Sequence, residues 1–103
     1  MRYFSDSYIQ ARSRLRSAIE EHGSWHAYPI EHDTQLTIDV ARIGPKDAKN
    51  LVILSSGTHG VEGFFGSALQ LSILKNKILP PQNTALLLIH AINPFGFANT
   101  RRV

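Results

Sequence analysis

A chain of 103 residues, 43% hydrophobic and 18% charged, with a mean hydropathy of −0.13, has the size and mix of one globular domain, residues 1–103. No apolar run approaches the ~20 residues that cross a bilayer, and the absence of Cys excludes disulfides and thiolate metal or redox sites. The net charge of +3 is small and the basic residues are scattered, which argues against a nucleic-acid partner. Any metal must be held by His and carboxylate groups.

Phe4, Tyr8, Ala11, Leu15 and Ala18 recur at helical spacing and predict a first amphipathic helix. Ser5 or Asp6 is placed to cap it and Gly23 to end it. Residues 1–16, with Arg2, Arg12, Arg14 and Arg16 and only Asp6 as an acid, loosely fit a transit peptide, but the apolar stripe favours an ordinary helix. With no apolar h-region, Sec export is not expected, and the expected location is the cytoplasm. Trp25–Ile30 is a short strand candidate ended near Pro29. Gln35–Ile43 alternates, with Leu36, Ile38 and Val40 on one face and Thr37, Asp39 and Ala41 on the other; one face is expected to be buried. Gly44-Pro45 breaks it. Leu51–Leu54 is a continuous apolar run, as in an interior strand. The short link predicts that these two strands form an antiparallel hairpin.

Ser55–Gly63 is a Gly-rich loop. Val61 to about Lys77 reads as a helix that is apolar around most of its circumference. Pro80-Pro81 stops it, and Thr84–Ile89 is a second buried strand. Strand, helix and strand make a βαβ unit with a parallel pair. The fold class is therefore α/β, around a mixed sheet.

Ligands of open α/β sheets bind beyond the carboxyl ends of the parallel strands. Two loops leave those ends. The first is Ser55-Ser56-Gly57-Thr58-His59-Gly60-Val61-Glu62-Gly63. Its H-x-x-E pair, His59 and Glu62, offers the imidazole and carboxylate that zinc takes as ligands. Glycines on both sides let the backbone turn sharply, and Glu62 falls where the helix dipole favours negative charge. A polar turn with a helix-capping Glu explains the same residues without a metal. The loop lacks the Gly-rich phosphate motifs and the nucleophile elbow around a Ser. His22, His26, Glu31, His32 and Asp33 read as a solvated helix end and turn. His90 ends the second buried strand and could reach toward the first loop; a hydrogen-bonded core role, or one supporting a ligand, fits it better. The second loop, Ala91–Val103, carries Asn93-Pro94 and then Arg101-Arg102. That pair could meet a carboxylate or an oxyanion; a basic chain end in water is the plainer reading.

Together, Ser55-Ser56-Gly57-Thr58-His59-Gly60-Val61-Glu62-Gly63 and His90-Ala91-Ile92-Asn93-Pro94-Phe95-Gly96-Phe97 resemble the zinc carboxypeptidase (M14-like) clan, and within it the bacterial DUF2817 family. Phe4-Ser5-Asp6-Ser7-Tyr8 and Asp39-Val40-Ala41-Arg42-Ile43-Gly44 resemble that family's N-terminal part. The resemblance implies an α/β/α sandwich, of which this chain is a part. It implies zinc as the cofactor, with His59 and Glu62 as ligands. Arg101 or Arg102 would bind substrate, a peptide or an acyl-amino acid, and an amide bond would be hydrolysed. The family's third ligand, a His, and its general-base Glu lie on later strands. The expectation is a truncated N-terminal portion with no catalytic residue of its own, inactive alone, and able to self-associate through exposed apolar surface. The alternatives are an N-acyl amino acid amidohydrolase of the aspartoacylase or succinylglutamate desuccinylase type, and a non-catalytic α/β fragment or interaction module.

Overall fold

The first helix, α1, spans Tyr8–Ile19 in the computed structural model, which describes residues 2–103. Its cap is Ser7, whose Oγ accepts from the Gln10 amide at 3.1 Å, rather than Ser5 or Asp6. Tyr8, Ala11, Leu15, Ala18 and Ile19 are buried, whereas Phe4 lies outside the helix and is exposed. The helix ends at Glu20, before Gly23. Gly23 instead opens strand β1 (Gly23–Ile30), pressed so close to β2 (Asp33–Ile43) that a Cβ would sit 1.9 Å from the Arg42 carbonyl oxygen. These two strands form the hairpin of the sheet, antiparallel, with Trp25 opposite Ala41. Pro29 lies inside β1 rather than ending it; an edge strand tolerates the missing N–H.

Strand β3 (Asn50–Ser56) leads through a 3-10 turn at Gly60–Glu62 into α2 (Gly63–Lys75), then β4 (Thr84–His90) and the short α3 (Pro94–Ala98). The expected parallel pair is present: β3 and β4 run in register from Asn50–Thr84 to Ser56–His90. The expected hairpin between β2 and β3 is not. The sheet order is β1-β2-β4-β3, and β4 lies antiparallel to β2 with Asp39 opposite His90. The link after β2 is short, yet it crosses the start of β4. Gly44 takes a φ of +118° there and packs against Thr84 and Ala85, and the Lys49 and Asn50 amides both reach the Asn83 carbonyl. β4 thus takes the interior place, and β3 is an edge. Leu51, Val52, Ile53 and Leu54, which read as interior residues, are 55%, 46%, 54% and 37% exposed.

The core lies between the sheet and the helices. Leu15, Ala18 and Ile19 of α1 and Leu71 and Leu74 of α2 pack on Ala41, Ile43, Leu86 and Leu88. The buried face of β2 is therefore the one carrying Thr37, Asp39 and Ala41, while Ile38 and Val40 are only half-buried. The reason is polar: Asp39 and Thr37 find partners on α1, described below. Strand alternation puts Ile38, Val40, Leu87 and Ile89 on the opposite face. Among the described residues no helix covers that face, so they form two layers, a mixed sheet and one layer of helices, as a part of the expected α/β architecture.

Candidate functional site

Both candidate loops leave the carboxyl ends of β3 and β4, and the backbone fastens them together. The Ile92 amide donates to the Ser56 carbonyl at 2.9 Å and the Asn93 amide to that of Gly57 at 2.8 Å. The Gly60 and Val61 amides donate to the carbonyls of Arg102 and Arg101 at 3.1 and 2.9 Å, and the Arg101 amide donates to Gly96 at 2.7 Å. The last residues are thus laced to the His59–Glu62 turn.

Glycine permits this contact. Gly57 has a φ of +70°, a conformation that side chains disfavour. A Cβ at Gly60 would lie 2.2 Å from the Gly96 carbonyl carbon, and one at Gly63 would lie 2.2 Å from the Phe97 ring. Phe97 is fully buried and touches Phe64, Tyr8 and His90, so it locks α3 beneath the turn. Asn93 caps α3 by accepting from the Gly96 amide at 2.9 Å. Gln70 anchors the start of the first loop from α2: its Nε2 donates to the carbonyls of Leu54 and Ile89, and its Oε1 accepts from Ser56 Oγ at 3.1 Å.

His59 precedes the 3-10 turn and is half-buried; Glu62 closes it and is exposed. The Glu62 amide donates to the His59 carbonyl at 3.0 Å, which fixes the turn between them. The carboxylate of Glu62 caps no helix amide. Arg101 and Arg102 have exposed side chains, and the Arg101 guanidinium lies 5.9 Å from the centre of the Phe95 ring. A solvated, mobile terminus is the usual expectation for such a pair. Here its backbone is tied by three hydrogen bonds while its charges face water.

The backbone thus brings residues His59, Glu62, Arg101 and Arg102 together at the carboxyl ends of β3 and β4. Imidazole and carboxylate suit zinc, so the donor set fits two ligands of such a centre. Among the described residues no group of three or more His, Asp or Glu could hold a metal ion. His22, His26, Glu31, His32 and Asp33 likewise form no such group.

His90 does not reach the turn. It is fully buried, shares a 2.9 Å hydrogen bond with Ser67 Oγ through Nε2, and leaves Nδ1 without a partner. Burial lowers its pKa to about 4, partly opposed by the nearby Asp39 carboxylate, so it is neutral at pH 7. Beside it lies a polar cluster that sequence reasoning missed. Arg12 Nε donates to Asp39 Oδ2 at 2.7 Å, and Thr37 Oγ1 donates to Asp39 Oδ1 at 2.9 Å. The Tyr8 hydroxyl donates to the Thr37 carbonyl at 3.0 Å and accepts from its amide at 2.9 Å. The signal available was an Asp within an alternating strand and an Arg on the helical stripe side; only the fold shows that they meet.

The family model described as "Protein of unknown function (DUF2817)" matches residues 4–103. The chain belongs to the DUF2817 family. No curated protein and no solved structure matches it. The DUF2817 match takes in every element above, including both loops. No helix among the described residues of this DUF2817 chain is long and apolar enough to cross a membrane.

Proposed function

We propose that this DUF2817 chain forms part of a zinc-dependent hydrolase of carboxypeptidase type, acting on a peptide or acyl-amino acid amide bond. The observation that carries the reading is the lacing of the His59–Glu62 turn to the Arg101–Arg102 segment at the carboxyl ends of β3 and β4. That lacing supports the reading because zinc takes an imidazole and a carboxylate, and a neighbouring Arg suits a carboxylate or an oxyanion. Bound zinc would polarise the carbonyl and activate water.

The chain's own residues hold and orient. His59 and Glu62 would hold the metal, and the fixed turn keeps their backbones together. One Arg would orient the substrate through paired charge-assisted hydrogen bonds, which Lys cannot copy. The remaining ligand and the general base come from outside these loops. Two donors hold zinc loosely, so the chain is expected to bind it weakly and to hydrolyse nothing by itself. Equilibrium dialysis against zinc tests the reading. Weak binding abolished by His59→Ala and by Glu62→Ala supports it; binding indifferent to both substitutions removes this turn from any metal site.

A further inference from the structure

We infer that Gln70 is a positioning residue: its buried side-chain amide ties the ends of β3 and β4 together and thereby sets where the His59–Glu62 turn meets the second loop. That the site so positioned takes zinc rests on the reading above.

A helix packed on a sheet is expected to bury apolar side chains, and a polar one costs stability there unless its hydrogen bonds are made. The second half of α2 follows this rule, with Leu71 and Leu74 in the core. The buried side of its first half carries Gly63, Ser67 and Gln70 instead. Gln70 is 3% exposed, yet every polar group of its amide is used. Nε2 has two hydrogens; one goes to the Leu54 carbonyl at 3.0 Å and the other to the Ile89 carbonyl at 3.2 Å. Oε1 accepts from Ser56 Oγ at 3.1 Å. A reversed amide would set its oxygen against two carbonyl oxygens, so these partners fix one orientation. An apolar residue of the same size would pack there but would tie nothing.

The partners lie on two strands. Leu54 and Ser56 belong to β3 and Ile89 to β4, at the carboxyl ends of the parallel pair, where Ser55 stands opposite Ile89. The next bonds outward join the same two segments: the Ile92 amide to Ser56 and the Asn93 amide to Gly57. Beyond them the Gly60 and Val61 amides reach Arg102 and Arg101. Only Gly57 and Thr58 separate Ser56 from His59, so holding Ser56 limits where His59 can go. α2 acts from close range because Gly66 lies against Ser56; a Cβ there would sit 2.7 Å from the Ser56 Cβ. Ser67, almost one turn before Gln70, is also buried and shares its 2.9 Å hydrogen bond with His90 at the end of β4. One helix face thus holds both strand ends.

Amide hydrogen exchange of the purified chain tests this. Gln70→Glu keeps the size and one acceptor but, when ionised, turns a second oxygen toward the Leu54 and Ile89 carbonyls. When protonated it regains one donor, and burial favours that neutral form, so the tie returns as the pH falls. Relative to the wild type at the same pH, protection of the Gly60, Val61, Ile92 and Asn93 amides should fall about tenfold or more at pH 8 and recover at pH 5.5. The amides of α1 should stay near the wild type throughout. Ser56→Ala, a smaller change that leaves both Nε2 bonds, should give a weaker loss at the same four amides, with no recovery on acidification. An equal loss in α1 and at the four amides overturns the proposal, because that is lost stability and not lost position. Wild-type protection at all four amides in both variants overturns it too, as does a loss in Gln70→Glu that ignores pH. Zinc dialysis of the wild type judges the zinc reading separately: no binding there removes that reading, while the exchange pattern alone decides the role of Gln70.

Discussion

Asp39 is fully buried, and Arg12 is its only cationic partner among the described residues. Removing one member of a buried pair strands the other charge, at a cost of about 3–5 kcal/mol. Arg12 keeps about a quarter of its side chain in water, which sets the expectation at the lower end. Arg12→Ala should therefore destabilise the fold by about 3 kcal/mol in urea denaturation. Thr37→Val should cost less, about 1 kcal/mol, because Arg12 still holds Asp39. His90 adds a pH dependence of definite sign. Its pKa falls to about 4 in the folded chain, from 6.5 when unfolded. Between those values the unfolded chain takes up a proton that the folded chain refuses. Stability is thus whole above pH 6.5 and is lost as the pH falls toward 4, by up to about 3 kcal/mol from this residue. Denaturation midpoints from pH 7 to 4.5 should show the slope in the wild type and a shallower one in His90→Gln.

At the scale of elements, the two loops behave as one unit because Gly57, Gly60 and Gly63 let the first loop pack directly on Ala91 and on the Gly96–Phe97 segment of the second. Gly60→Ala would drive a methyl group into the Gly96–Phe97 backbone, which cannot yield as a flexible side chain does. Overpacking of that kind costs about 1–3 kcal/mol. It should also free the Gly60 and Val61 amides from Arg102 and Arg101, measurable as faster amide exchange at those two positions. Any metal affinity of the proposed His59–Glu62 site should drop with it, although neither residue is altered. Elements also decide the order of the strands. β3 and β4 are both apolar runs, and nothing in either ranks one above the other. The link crossing the start of β4 at Gly44, packed on Thr84 and Ala85, goes with β4 as the enclosed strand.

For the whole molecule, one helical layer covers one face of the sheet, and the edge at β3 stays open. A site at the carboxyl ends of β3 and β4 is then bounded on only part of its circumference. Arg101→Lys and Arg102→Lys should leave the stability of this chain unchanged, since both side chains are in water. In a protein that completes the proposed site, one of the two should lower kcat/KM by about a hundredfold, because a point charge replaces a two-pronged donor. Steady-state kinetics on both variants, with wild-type rates in each, would take the pair out of the site.

Periodicity alone determined much of this protein. The helical stripe from Tyr8 to Ala18, the alternation of β2, the parallel pair around a helix and the two loops at its carboxyl ends all follow from apolar spacing and glycine placement. These are local signals, written within a few residues of one another. What the tertiary structure decided depended on contacts between distant segments. Tyr8 and Arg12 turned the polar face of β2 inward, against the pattern of its apolar residues. β4 entered between β2 and β3 although the short link suggested a hairpin. Leu51–Leu54 became an edge although their composition matches an interior strand. In each case hydrophobicity is common to the competing arrangements and cannot rank them. The ranking comes from where buried polar groups find partners and from which backbone can approach which, and both are fixed only when the whole chain is assembled.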